Sequence, residues 1–151
     1  MASNEDGDAP ISGIRVGDRF SREHRFTPQQ VSEFSLAAGD DNPLHLDLDF
    51  AGKSSYGGLI ASGTHTTALL LGLTASHFSK IASVVGRCFT VRLRRAVRAD
   101  AHVVIEWEVV RVANRPGRPG HVVHLAGEMR QAGSGEVVVE ATGEVVVGLD
   151  G

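Results

Sequence analysis

One cysteine, Cys88, stands in 151 residues. A single thiol excludes an intrachain disulfide and any zinc site built on two thiolates. Basic charge is not in excess either: fifteen Lys and Arg face eighteen Asp and Glu, a formal charge of −3. That balance argues against a generic nucleic-acid binder, which needs a basic footprint. Long apolar runs are missing. The longest, around Ala68 to Leu73, falls far short of the roughly 20 residues that span a bilayer. Met1 to Pro10 is acidic and rich in small residues, unlike a signal peptide. The expectation is a cytoplasmic protein with neither a nucleic-acid nor a membrane partner.

Several motifs are absent as well. No Walker loop and no Rossmann glycine pattern occurs. A calcium loop counted from Asp40 would need glycine where His45 stands. Ser62 lacks a nucleophile elbow, since Ile60 precedes it by two. His121 and His124 lie three apart on a predicted strand, so they point to opposite faces and make poor co-ligands.

What is present fits one globular domain: 42% hydrophobic and 22% charged residues over a length suited to a single core. Residues 1–10 have almost nothing to bury and read as a disordered tail, leaving 11–151 for the domain. A first element spans Arg19 to Phe26. Thr27-Pro28-Gln29-Gln30 then predicts a helix start, with Thr27 as N-cap, Pro28 in the first turn and Gln30 completing a capping box. Val31, Phe34, Ser35 and Ala38 follow at helical spacing, and Gly39 supplies a stop. A polar, turn-rich stretch runs from Asp40 to about Ser55. After the bend at Tyr56-Gly57-Gly58, a second helix is predicted from about His65 to Phe78. Its leucines and alanines occupy nearly every face, which demands cover on all sides.

The second half alternates instead. Phe89, Val91 and Leu93 interleave with Thr90, Arg92 and Arg94, the period of a strand with one buried face. The same pattern recurs around Val103 to Val109, Val123 to Met129 and Val137 to Val145. Turn-forming runs at Asn114 to Gly120 and Ala132 to Gly135 separate the last three. Helices followed by an antiparallel meander give an α+β fold, most economically a curved sheet wrapped around the apolar helix.

Two clusters could carry chemistry. In Asp40-Asp41-Asn42-Pro43-Leu44-His45, Pro43 fixes a turn that can bring Asp40 to His45. A carboxylate beside an imidazole can hold and deprotonate water, although the same string also serves as a helix-exit turn. The second cluster, Gly57 to His65, runs from a glycine bend into the start of the apolar helix. Free amides there suit an oxyanion or a polarised carbonyl, and Gly63 leaves its N–H unshielded; a tight helix start explains that glycine equally well. His65 could activate a nucleophile, but packing or capping accounts for it better. Arg87, Arg92, Arg94, Arg95 and Arg98 form the basic run. It reads as a solvated face, with a phosphate-bearing ligand such as coenzyme A as the alternative.

Taken together, Asp40-x-Asn42-Pro43-x-His45-x-Asp47, Phe50-Ala51 and Gly63 before a hydrophobic helix resemble the MaoC-like family of (R)-specific enoyl-CoA hydratases. The resemblance runs from roughly Val16 to Val110 and includes Val16-Gly17-Asp18 and Leu93 to Asp100. It implies a single hotdog fold and reversible hydration of a trans-2-enoyl thioester carried on coenzyme A or acyl-carrier protein. It assigns Asp40 and His45 to water activation and Gly63 to the thioester carbonyl, with Asn42, Ser62 and Thr64 on the substrate side. It implies a homodimer or a higher even-numbered homo-oligomer, and neither metal nor redox cofactor. The chain departs from the family at Ser62, where histidine is frequent, and at Ala96 and Ala99, where proline and glycine are frequent. A hotdog thioesterase and a non-catalytic acyl-thioester-binding subunit remain alternatives.

Overall fold

Alternating burial along one strand sets the architecture. In β3 (His102–Asn114) the side chains of Val103, Ile105, Trp107 and Val109 are all buried. They face one helix. The computed structural model describes residues 13–149, so the expected tail at 1–10 and the outer limits of the domain lie outside the described residues. The remaining strands are β1 (Arg19–Arg25), β2 (Val84–Leu93), β4 (His121–Gln131) and β5 (Val137–Val147). All pairings are antiparallel, and the order across the sheet is β1-β3-β4-β5-β2.

This order corrects the simple meander. Only β3, β4 and β5 follow one another as neighbours; β2 pairs with β5, and β1 closes the other side on β3. The hairpin turns fall at the two predicted turn runs, with Gly117, Gly120 and Gly135 at positive φ. Alternation gave no signal for this order, because it specifies which face is buried and not which strand lies alongside.

The helices are α1 (Pro28–Ala37), α2 (Pro43–Leu46), α3 (Leu48–Lys53) and α4 (Gly63–Phe78). Thr27 Oγ1 accepts the Gln30 amide at 3.2 Å, while among the described bonds Gln30 returns none to Thr27. Gly39, at φ +76°, ends that turn. The stretch predicted as turn-rich holds two short helices, because Asn42 caps Leu44 and Asp47 caps Phe50 through their side-chain oxygens.

The central helix α4 begins at Gly63, two residues before the expected start, since Ser62 caps it. Its buried side is His65, Thr66, Leu70, Leu73, Thr74 and Phe78. Ala68, Gly72 and Ala75 form an exposed stripe, so one chain covers this helix on one side and not all round as expected. Trp107 ties helix to sheet: its Nε1 donates to the Leu70 carbonyl at 2.9 Å. The indole lies flat on the sheet because Gly127 is its cross-strand partner, where an added Cβ would stand 2.4 Å from the ring. Phe89 lies on Gly143 in the same way and meets Trp107 edge to face.

Candidate active site

Asp40 leaves α1 through the Gly39 turn with its amide bonded to the Ser35 carbonyl. Its Oδ1 accepts the Asn42 amide at 3.1 Å, which fixes the carboxylate over the start of α2. Asn42 Oδ1 accepts from Leu44, and Pro43 opens the helical turn that carries His45 inward. His45 is buried, and its Nδ1 lies 2.7 Å from the Ile60 carbonyl oxygen. A carbonyl only accepts, so Nδ1 carries the hydrogen and Nε2 is turned the other way. Nε2 lies 3.4 Å from Asp40 Oδ2. In the neutral ring, these are two acceptors side by side. Together they can take both hydrogens of one water, or share one proton between them.

Ile60 is held just as firmly. It forms an isolated bridge with Arg98, while Ala61 donates to Val97 O at 2.7 Å and Ala99 donates to Leu59 O at 3.0 Å. The Ile60 amide donates back to Leu44 O. The segment that fixes His45 therefore leads, within three residues, into the N-terminus of α4; three residues of chain reach about 10 Å at most. There Ser62 Oγ, fully buried, accepts the His65 amide at 3.1 Å and shares a 2.9 Å hydrogen bond with Thr64 Oγ1. The Ser62 carbonyl takes the amides of His65 and Thr66. Among the described bonds, the amides of Gly63 and Thr64 have no acceptor, and they stand at the positive end of a sixteen-residue helix. A Cβ at Gly63 would stand 2.5 Å from Leu93 Cδ1, so a side chain there would push the end of that half-exposed leucine aside.

The predicted site residues thus come to rest in two groups on one connected backbone. Asp40, Asn42 and His45 surround the start of α2, and Ser62, Gly63 and Thr64 surround the start of α4. Asn42 and Thr64 are exposed, and Ser62 is occupied with the helix cap. His65 stands apart. Its ring stacks on Phe34 at 4.3 Å and meets Phe26 edge to face, the packing role that sequence favoured. Burial lowers its pKa, and so does the nearby His24.

Sequence reasoning missed the Ile60 carbonyl, because a backbone oxygen has no residue signature. It also placed Leu93 on the buried face with Phe89 and Val91, whereas Leu93 is 56% exposed at the end of an edge strand. The arginine run is largely paired. Arg94 donates twice to Glu140 Oε2, at 3.0 and 2.7 Å, Arg98 donates to Tyr56 O, and Arg87 and Arg95 lie near Glu144 and Glu136. Among the described residues, no group of three or more His, Cys, Asp or Glu is placed to hold a metal ion. No helix among the described residues is long and apolar enough to cross a membrane.

Comparison with known proteins bears on the family and the fold. The (R)-hydratase from A. caviae involved in PHA biosynthesis superposes with a TM-score of 0.79 at 25% identity, covering 91% of this chain and 99% of the other. The MaoC-like dehydratase from Rhodospirillum rubrum gives 0.77 at 28% identity over 91% and 95%. The HadBC (3R-hydroxyacyl-ACP dehydratase) complex from Mycobacterium tuberculosis gives 0.75 at 19%, over 90% and 99%, and shares the fold alone. No curated protein matches the sequence. The family model described as MaoC like domain matches residues 15–131, which takes in both site groups and four of the five strands. On that match, the chain belongs to the MaoC-like domain family and has its hotdog fold.

Proposed function

We propose that this chain adds water reversibly across the double bond of a trans-2-enoyl thioester to give an (R)-3-hydroxyacyl thioester. The observation that carries the reading is the His45–Asp40 pair, with Nδ1 committed to a backbone carbonyl and Nε2 presented to a carboxylate 3.4 Å away. Water held by that pair attacks C3. As the C–O bond forms and the double bond opens, the pair takes one proton from the water and passes a proton on to C2, so that the pair ends as it began. Negative charge moves onto the thioester oxygen, where the Gly63 N–H receives it; one such donor is typically worth about 2.7–4 kcal/mol. Ser62 serves this step through the helix cap that orients the amides, and Asn42 and Thr64 line the substrate side at the rim. The A. caviae hydratase and the R. rubrum dehydratase support the reaction class.

Crotonyl-CoA tests the proposal directly when enoyl absorbance and free thiol are followed together. The expected result is falling absorbance with no thiol released. Thiol release would instead assign a thioesterase, and no change in either signal would assign a non-catalytic acyl-binding role.

A further inference from the structure

An exposed leucine needs no explanation by itself, but the position of Leu93 does. It closes β2 at the sheet edge, its neighbour Arg94 is pinned by an amide bond to Val138 O, and its side chain leans onto Gly63. Leu93 Cδ1 lies 2.5 Å from the point where a Gly63 Cβ would stand, and the rest of the side chain, 56% exposed, is open to solvent. The residue whose amide is assigned to the carbonyl is thus the one whose open Cβ position Leu93 overhangs. This side chain is therefore an apolar surface next to the residue that a thioester oxygen has to reach.

We propose that Leu93 is a specificity-determining residue: the apolar wall against which the acyl thioester seats beside the Gly63 amide. The inference rests on the carbonyl role proposed for Gly63 and adds the reason for glycine there. A side chain at 63 would displace the wall as well as crowd the amide.

The test is a double-mutant cycle with two readouts, crotonyl-CoA turnover and calorimetric binding of butyryl-CoA. Leu93→Ala should raise KM and weaken butyryl-CoA binding by about tenfold with kcat little changed, the mark of lost uniform binding. Leu93→Met, which keeps the volume, should restore both. Gly63→Ala should impair binding, and adding Leu93→Ala to it should cost little more, because both changes remove the same contact. Wild-type affinity in Leu93→Ala would overturn the inference. So would losses that multiply in the double variant, or a changed solution mass for Leu93→Ala, which would assign the side chain to a second copy. If the wild type binds butyryl-CoA but turns nothing over, the hydratase reading fails while the binding cycle still decides the wall. If it binds nothing, both fall.

Discussion

At the scale of single residues, two adjacent carboxylates have different surroundings. Asp40 meets His45 Nε2, whereas Asp41 is exposed and among the described residues makes no side-chain bond. Asp40→Asn keeps the shape and removes the charge and proton acceptor. Turnover should fall by about 10²–10⁴, and Asp41→Asn should stay within about 0.5 kcal/mol of wild type in stability and activity. Turnover of both variants, with folding checked by thermal melts, decides it; a dead Asp41→Asn beside an active Asp40→Asn would mean that the motif is misread. Gly63→Val should lower turnover by about 10²–10³, and full activity in the folded variant would remove Gly63 from the oxyanion role. Both clusters were legible in the sequence because proline, glycine and capping residues have local meanings. The Ile60 carbonyl was not, since its place depends on pairing with residues nearly forty positions away.

At the scale of elements, α4 depends on its first turn. Ser62→Ala removes the cap on His65 and should destabilise the fold by about 1 kcal/mol, read as a lower melting temperature; an unchanged melt would show the cap to be idle. Acid should act on the same corner. Among the described residues, His24 and His65 have ring nitrogens buried without partners, and burial lowers the pKa of both, as it does for His77. The unfolded chain therefore binds protons that the folded one resists. Stability is fully present above about pH 6.5 and is lost as pH falls below it towards the folded pKa values. Melting temperature should drop between pH 7 and pH 5, and His65→Phe, which keeps the stack on Phe34, should flatten that slope. An unchanged slope would locate the titration elsewhere. The strand period foretold the inward faces of β3, β4 and β5, but edge position exposed Leu93 in β2, and edges are set by topology.

At the scale of the whole molecule, β1 and β2 are the outer strands of the sheet, with no further strand beside them among the described residues, and α4 shows its stripe of Ala68, Gly72 and Ala75. Unpaired edges and apolar stripes are surfaces that association covers. Light scattering should give about twice 16.0 kDa, or a higher even multiple; a clean monomer at micromolar concentration would contradict the dimer. The pairing of helix with sheet was foreseeable from an apolar helix and alternating strands. The half-covered helix was not, because hydrophobicity specifies how much must be buried and not by which chain. Hydration and hydrolysis differ in where the oxygen of water ends. Crotonyl-CoA turned over in ¹⁸O-water and read by mass spectrometry should give an intact thioester carrying the label on C3. Label in a released carboxylic acid, or a thioester without label, would contradict the account.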